Sequence, residues 1–347
     1  MTVRERWTAV LERSLPDRIP MTYRATEEAH EKLMRHLSCG SNAELHARLH
    51  IDNLASLRPA YTGPPVPDDQ DLFGCTYRTV EYEHGVYREC VGHPLESAGS
   101  LAEIEASYTW PSVDWFDYSG VPAAAERARD RGCIGGGWEP FLEYKYMRGE
   151  EQAFMDLVEN PDIVEYCMQN LFDFHYERTR RLFEHANGAI LVSGSSEDLG
   201  SQTGLLYSPD HIRRFFLPHH RRMIDLMHEA GVRAEWHSDG SIREILPDLI
   251  QSGVDVLDPI QWRCNDMDRA GLKRDFGDDL IFQGAMDNQH TLPFGSTDDV
   301  AAEVLENIEV LGAGGGYILG PCHNIQSVGP PENVVTMYEV AYENGWY

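Results

Sequence analysis

Short apolar segments alternate with amphipathic helical patterns along most of this 347-residue chain. Parallel strands need a long crossover between them, usually a helix, so this alternation favours a parallel α/β sheet. Seven recognisable strands, with one more obscured, predict a single (β/α)8 TIM-type barrel over residues 1–347, with an N-terminal helical extension. The seven candidate strands, which are bounded by glycine, aspartate or proline, span residues 19–23, 133–138, 189–193, 232–236, 254–259, 280–286 and 317–319.

Residues 50–100 interrupt this rhythm with a composition rich in proline, tyrosine, aspartate and glycine. We expect an inserted lid or hairpin here that caps the catalytic face of the barrel. Elsewhere, Ser41, Ser100 and Ser241 each precede a glutamate by three residues, which is the spacing of a helix capping box. The two longest helical patterns cover residues 161–186 and 209–230.

The chain carries 57 acidic and 29 basic residues, a net charge of −28. Nucleic-acid binding needs clustered lysine and arginine, so this balance argues against nucleic acid and against anionic membrane surfaces. No apolar run approaches the roughly 18 residues of a membrane span, and the charged N-terminus does not resemble a secretory signal. Seven cysteines at irregular spacing favour a reducing cytoplasm over a disulfide framework. We therefore expect a cytoplasmic protein with a small-molecule substrate, either as a monomer or as a homodimer.

Polar, metal-capable side chains follow two of the predicted strands. His237 and Asp239 come directly after the fourth candidate strand, and Cys322 and His323 come shortly after the last. In a barrel of parallel strands, the carboxyl-terminal strand ends converge on one open face where ligands bind. We therefore predict that these two clusters meet around one ion or one substrate.

Other polar residues near strand ends are expected on the same face. Asp198 follows its strand by a few residues and joins His237 and Asp239 as a candidate catalytic residue. Plainer interpretations stay open: Asp239 could cap the next helix, although Ser241 already fits that cap, and Asp198 could cap the helix beyond it. Cys322 and His323 could be an ordinary buried thiol and a loop histidine. The candidate substrate-binding residues are Gln202, Glu139, Tyr23, Asp287 and Gln261.

Several motifs, in their order and spacing, resemble the uroporphyrinogen decarboxylase superfamily, and within it the branch of corrinoid-dependent methyltransferases. The resemblance spans nearly the whole chain and implies a (β/α)8 barrel with its site at the carboxyl-terminal strand ends. The matching segments include Asp71-Leu72-Phe73-Gly74, Trp110-Pro111, Arg148-Gly149-Glu150, Asp198-Leu199-Gly200-Ser201-Gln202, residues 237–241, residues 253–261 and the tail over residues 315–333.

The resemblance implies methyl transfer between a small methylated substrate (an aryl methyl ether, an amine or a thiol) and a corrinoid. Methyltransferases of this branch hold zinc with a His-x-Cys pair after one strand and a cysteine after the last strand. Here Asp239 stands in place of the first cysteine, and His323 stands in place of the second, with Cys322 one residue earlier. The implied ligands of a divalent metal are therefore His237, Asp239, His323 and Cys322, a harder set that suits zinc, iron or manganese. No corrinoid-binding Asp-x-His-x-x-Gly motif occurs in the chain, so cobalamin would come from a partner protein or from solution.

Three other functions stay open at this point. The first is a cofactor-free decarboxylase or lyase that acts on a small acid. Porphyrinogen decarboxylases carry several arginines where this chain has only Arg24, which argues against a substrate with many carboxylates. The second is a non-haem iron oxygenase, because His-x-Asp and a distant histidine match its ligand set, although the strand–helix alternation argues against its fold. The third is a binding protein without enzymatic activity.

Overall fold

The computed structural model describes residues 1–82 and 85–347, and its centre is a sheet of seven parallel strands. In chain order, the strands are β1 (Ala55–Leu57), β2 (Ala60–Tyr61), β3 (Thr76–Tyr82), β4 (Gly85–Gly92), β5 (Phe116–Asp117), β6 (Cys133–Gly135), β7 (Ile190–Gly194), β8 (Arg233–His237), β9 (Val256–Asp258), β10 (Ile281–Met286) and β11 (Tyr317–Pro321). The parallel sheet has the order β1-β6-β7-β8-β9-β10-β11, and the other strands form two antiparallel pairs. Six of the seven predicted strands are confirmed as β6 to β11, and their order is that of a TIM-type fold.

The segment around Met21 fills the gap between the last and the first strand of the sheet. The Leu319 N–H donates to the Pro20 carbonyl at 2.9 Å, and the Thr22 N–H donates to the Leu319 carbonyl at 2.8 Å. On the other side, the Asp52 N–H donates to the Met21 carbonyl at 2.7 Å. The sequence predicts a strand over residues 19–23, but the structure has only one bridge there, at Met21. Pro20 has no N–H with which to extend the ladder. These contacts join the segment to both edges of the sheet.

The strand that the sequence does not reveal is β1, which pairs with β6 in parallel register. Its three residues lie inside the range 50–100, so at least this part of the range belongs to the barrel sheet and not to an insertion. Three residues are too few to show the alternation by which a strand is recognised. Later in the same range, β3 and β4 form an antiparallel hairpin. Glu83 and His84, which connect these two strands in sequence, lie outside the described residues.

Helices connect the strands of the parallel sheet. They are α1 (Val3–Leu11), α2 (Glu27–Leu37), α3 (Asn42–Arg48), α4 (Leu101–Ser107), α5 (Val121–Arg127), α6 (Pro140–Arg148), α7 (Glu150–Glu159), α8 (Pro161–Ala186), α9 (Pro209–His211), α10 (Leu217–Glu229), α11 (Leu246–Gln251), α12 (Arg269–Phe276), α13 (Thr291–Phe294), α14 (Thr297–Val310) and α15 (Pro331–Asn344). Over the described ranges, no helix has the length and the apolar character needed to cross a bilayer.

Two of the predicted helix features need correction. The pattern over residues 209–230 is not one regular helix, because a π-helical segment over Ile212–Phe216 separates α9 from α10. Ser41 and Ser100 cap α3 and α4, although the glutamate of each predicted capping box accepts from the preceding glycine N–H instead. Ser241 caps no helix. Its hydroxyl donates to the Asn265 carbonyl at 2.8 Å, and the turn after it is a short 3-10 helix.

Helix α1 covers the amino-terminal end of the parallel sheet. Each large apolar side chain that is buried in this contact stabilises the fold by roughly 1.5–3 kcal/mol. With the amino-terminal end filled in this way, the carboxyl ends of the strands form the opposite end, to which the polar residues belong. The buried contact joins Trp7, Val10 and Leu11 of α1 to Val192, Val256, Ile281 and Ile318 of four strands.

Candidate active site

Three charged residues are joined by hydrogen bonds where β8 and β9 end. His237 is the last residue of β8, and it lies opposite Asp258, the last residue of β9, in the parallel register. The Asp258 carboxylate accepts the His237 Nδ1–H at 3.0 Å and two Arg24 N–H groups, from Nη1 at 2.8 Å and Nη2 at 3.2 Å. Arg24 Nη2 also donates to the Cys322 carbonyl at 2.8 Å, which ties the group to the end of β11. We refer to Arg24, Asp258 and His237 as the strand-end relay.

Burial and charge pairing set the protonation of the strand-end relay. Burial alone would raise the pKa of Asp258, but the charge of Arg24 and the His237 hydrogen bond lower it to about 2. Burial alone would lower the pKa of His237, but the hydrogen bond and the charge of Asp258 raise it to about 9. At neutral pH the relay therefore holds one carboxylate between two cations. Removing one partner of such a buried pair costs about 3–5 kcal/mol, because the remaining charge is left without compensation.

Two aspartates and a second histidine surround the other side of the His237 ring. Asp198 Oδ1 is 3.9 Å from His237 Nε2, and it accepts the Asp239 N–H at 3.0 Å. The centre of the His323 ring is 6.4 Å from that of His237. Burial raises the pKa of Asp239, whose Oδ1 is buried and has no hydrogen-bond partner among the residues described. The structure thus brings four predicted site residues together and leaves one carboxylate oxygen that a ligand donor could satisfy.

Glu139 contributes a further carboxyl group beside Asp198. Burial, together with repulsion from Asp198, raises the pKa of Glu139 to about 7. Its neighbour Glu197 is almost completely buried and accepts the Phe141 N–H at 3.0 Å. Burial and the charge of Glu139 hold the pKa of Glu197 well above its usual range. These two carboxyl groups therefore carry protons at a pH at which Asp258 is ionised, so acid and base forms coexist within one site.

A narrow cleft of about 10 Å³, with room for about one water molecule, lies beside this cluster. Gln261 Oε1 accepts the Gly240 N–H at 2.7 Å, which fixes the turn after His237 against the wall of the cleft. The wall offers mainly amide and thiol groups, together with the ion pair of Arg263 and Asp287, and these groups can hydrogen-bond a water-sized polar group. Four of the predicted site residues line the cleft, namely Gln202, Gln261, Asp287 and Cys322.

Tyr23 is the one predicted residue that the structure does not bring to this region. Its hydroxyl is hydrogen-bonded to His30 Nδ1 at 3.1 Å, and its ring packs against Tyr338. Successive side chains of an extended segment point to opposite sides, so Tyr23 faces helices α2 and α15 while its neighbour Arg24 faces the strand ends. The segment therefore contributes Arg24 to the site.

The predicted metal ligands do not form a metal centre in this arrangement. Throughout residues 1–82 and 85–347, no group of three or more histidine, cysteine, aspartate or glutamate side chains is placed to hold a metal ion. The Cys322 thiol donates to the Ile260 carbonyl at 3.3 Å, and burial raises its pKa well above its usual range. That environment suits a neutral thiol and not a thiolate ligand. These side-chain positions do not fit a bound metal ion. The metal ligand set therefore stays a prediction, and the chemistry proposed below does not depend on it.

Arg24, Asp258 and Glu197 are important here, yet the sequence assigns them no role at the site. Asp258 lies at the end of a predicted strand, as His237 does, so strand-end position is a signal that could have found it. The contact between Arg24 and Asp258 spans 234 residues, and no local pattern encodes it. Glu197 lies in the same loop as Asp198, and the sequence predicts a site role for Asp198 alone.

A sequence model of the uroporphyrinogen decarboxylase family matches residues 123–344. The match covers more than half of the chain, including His237, Asp258 and all strands from β6 to β11. This chain belongs to the uroporphyrinogen decarboxylase family. Two members of the strand-end relay, His237 and Asp258, lie within the matched residues, whereas Arg24 lies before them.

Comparison with solved structures supports the fold of this family member. A methyltransferase from Methanosarcina mazei has a TM-score of 0.67 and 19% sequence identity, with 99% of each chain covered. At this identity the likeness establishes a shared fold. Dispersin B, with a TM-score of 0.35 and 10% identity over 68% of this chain and 78% of its own, is too distant to inform the interpretation. A comparison with curated protein sequences gives no match.

Proposed function

We propose that this uroporphyrinogen decarboxylase family member is a methyltransferase that moves a methyl group from a small methylated ether, amine or thiol to a corrinoid. Family membership and the fold shared with a methyltransferase support this class of reaction. The observation that carries the assignment is the strand-end relay, which holds a charged His237 beside Asp198. A corrinoid, supplied by a partner protein or as free cobalamin, provides the acceptor of the methyl group when it is bound.

The relay supplies a proton to the group that loses its methyl. As the bond from the methyl carbon to the heteroatom breaks, its electron pair stays on the heteroatom, which then needs a proton. Asp258 holds Nδ1–H of His237, so the Nε2–H side is left to donate that proton to the heteroatom. Arg24 keeps Asp258 ionised, and Asp258 in turn stabilises the charged imidazole until the proton is transferred.

We also propose that the β3–β4 hairpin is the lid of this site. Val86 N–H donates to Glu28 Oε1 at 3.0 Å, and the Tyr82 hydroxyl is 3.5 Å from Gln326 Oε1. Gln326 is three residues from His323, so the hairpin reaches the edge of the site, where closure would exclude water. Replacing Tyr82 with alanine should raise KM several-fold with little effect on stability, whereas an unchanged KM would argue against a lid.

The alternative is a decarboxylase of a small acid that needs no cofactor. The charged His237 and the protonated Glu139 favour it, because both could protonate a carbanion after carbon dioxide leaves. Against it, the Arg24 guanidinium is already engaged by Asp258 and by main-chain carbonyls. Little of it remains to bind a substrate carboxylate.

Methyl transfer to cob(I)alamin, followed by absorbance, tests the proposal with a panel of aryl methyl ethers, methylated amines and methylated thiols. The wild-type protein should accept at least one class, and His237→Gln should lose about 10²–10⁴-fold in rate, as expected when a general acid is removed. No transfer from any class would overturn the proposal, and release of carbon dioxide from a small acid would favour the alternative. Elemental analysis in parallel decides the metal prediction, since a bound metal lost in both His237→Gln and Asp239→Asn would restore it.

A further inference from the structure

A second cavity, of about 300 Å³, lies on the flank of the barrel, between the end of β1 and helix α8. It shares no residue with the strand-end relay or with the cleft beside it. Its walls combine positive charge with apolar surface. The residues that matter here are Leu57, Arg58, Phe116, Arg178, Thr179 and Leu182, and we refer to the space they line as the flank cavity.

Arg178 is a half-buried cation without a counter-charge. Its guanidinium carbon lies 5.6 Å from the ring centres of both Phe116 and Phe174. Among the residues described, its side chain has no hydrogen bond and no ion pair. Burial lowers its pKa, and the more distant Glu143 and Tyr118 only partly offset this. Stacking on aromatic rings offsets only part of the cost of removing a charge from water.

Arg58 places a second positive charge at the same cavity. Its Nε donates to the Ser56 hydroxyl at 3.1 Å, and within the described part of the chain it pairs with no carboxylate. Its charge also lowers the pKa of Arg178, so the two cations repel each other. Acidic residues outnumber basic ones by 57 to 29, and other arginines such as Arg181 and Arg213 have carboxylate partners. Two arginines without a carboxylate partner among the described residues therefore meet at one cavity.

Thr179 provides an independent sign that something is missing from the flank cavity. The residue is 1% exposed, and its hydroxyl oxygen is buried with no hydrogen-bond partner among the described residues. A buried hydroxyl without a hydrogen-bond partner carries an uncompensated desolvation cost. A ligand that accepts one hydrogen bond would remove that cost.

We propose that the flank cavity binds a small organic anion, in which one carboxylate or phosphate group is attached to an apolar body. The anionic group pairs with Arg178 and Arg58 and accepts a hydrogen bond from the Thr179 hydroxyl, because a guanidinium presents N–H groups that match either anion. The apolar body packs against Leu57 and Phe116. The volume is at the lower end of the roughly 300–1,000 Å³ of small-molecule sites, which limits the body to about one ring. The proposal does not depend on the methyltransferase assignment.

Isothermal titration of the full chain at low salt tests this site with benzoate, phenyl phosphate and the neutral isostere benzamide. At least one anion should bind tenfold or more tightly than benzamide, and added salt should weaken it. Binding by benzoate alone assigns a carboxylate ligand, and binding by phenyl phosphate alone assigns a phosphate. If neither anion binds more tightly than benzamide, the proposal is overturned.

Variants locate the binding within the flank cavity. Arg178→Gln should weaken anion binding at least tenfold, and Arg58→Gln and Thr179→Val should weaken it about threefold each. Arg221→Gln, which changes an exposed arginine outside the cavity, should bind as the wild type does. Wild-type affinity in both Arg178→Gln and Thr179→Val would place the anion elsewhere and overturn the proposal, even if one of the other variants failed to fold.

Discussion

The strand-end relay and the flank cavity place arginine in opposite electrostatic settings. Arg24 faces a buried carboxylate at 2.8 Å and shares it with His237, so each charge is compensated within the chain. Arg178 is enclosed by two aromatic rings and meets no carboxylate among the described residues. The first arrangement fixes the position and the protonation of His237, the side chain that we propose as the proton donor. The second leaves a positive charge that only something outside the chain can neutralise.

The difference shows that an arginine must be interpreted from what its neighbours leave unsatisfied. A paired arginine is part of the machinery that holds another group, and its removal exposes that group to an uncompensated charge. An unpaired one weakens the protein until a ligand arrives, because ligand binding to the folded state adds stability. Mutations at the two places should therefore differ in sign as well as in size.

The largest effect is expected for Asp258→Asn, which leaves Arg24 and His237 as neighbouring cations. The free energy of unfolding should fall by about 3–5 kcal/mol in a urea titration. Methyl transfer should fall by about 10³-fold or more, since His237 loses its orienting partner. Asp248→Asn is the matched control, because Asp248 accepts two N–H groups from Arg213 at the surface and should cost less than about 1 kcal/mol. Equal losses of unfolding free energy in the two variants would show that the buried ion pair of the relay stabilises the protein no more than a surface pair does.

A pH dependence of similar origin is expected on the alkaline side. The folded-state pKa of His237, about 9, lies above its unfolded value near 6.5. Its stabilisation is therefore complete below pH ~6.5 and is lost as the pH rises through about 9, by up to ~3 kcal/mol. Unfolding titrations between pH 6 and ~9.5 should show this decline in the wild type and a flatter profile in His237→Asn. His228→Asn, which removes a more exposed histidine paired with Asp255, should keep most of the decline.

The flank cavity should respond in the opposite direction. Arg178→Met keeps the apolar stem between the aromatic rings and removes the unpaired charge, so the free energy of unfolding should rise by about 0.5–1 kcal/mol without ligand. Arg24→Met, the same replacement in the strand-end relay, should lower it by about 3 kcal/mol. Chemical denaturation of both variants in a phosphate-free buffer measures these changes in the free energy of unfolding. A destabilised Arg178→Met protein would show that ring stacking outweighs the missing partner.

Cys322→Ala should have only a modest effect on stability and little effect on activity. The thiol donates one hydrogen bond to the Ile260 carbonyl, so its loss should cost about 1–2 kcal/mol of stability and leave kcat/KM within threefold. A large loss of activity together with a loss of bound metal would instead support the ligand role that the sequence predicts for Cys322. Cys264→Ala, which removes the other thiol of the same cleft, is the control for simple packing effects.

Much of the fold follows from the sequence, because buried parallel strands are continuous apolar segments that local pattern reveals. The exceptions are instructive. β1 is three residues long and escapes a periodicity test. Residues 19–23 are the opposite case, because the predicted strand is reduced to one bridge at Met21. Helix capping depends on the backbone beyond the serine, which explains why Ser41 caps a helix and Ser241 does not.

The site is less predictable than the fold. His237, Asp239, Asp198 and His323 were identified from their position at strand ends, and the structure brings them together. Asp239 Oδ1 has no hydrogen-bond partner and the Arg178 guanidinium has no carboxylate partner among the described residues. A missing partner of this kind cannot be predicted from the sequence. The ion pair between Arg24 and Asp258 depends on three-dimensional closure, so only the folded chain shows which of the 29 basic residues is used there.

The docking of the segment around Met21 has a consequence for biosynthesis. This segment carries Arg24 and rests on Leu319 of β11, and Arg24 reaches the main chain of Pro321 across 297 positions. A ribosome-bound chain that has not yet exposed β11 can assemble most of the sheet, but Asp258 and His237 then lack their third member. Catalytic competence should consequently arise late and abruptly during translation, and a nascent chain stalled before β11 should be compact yet inactive.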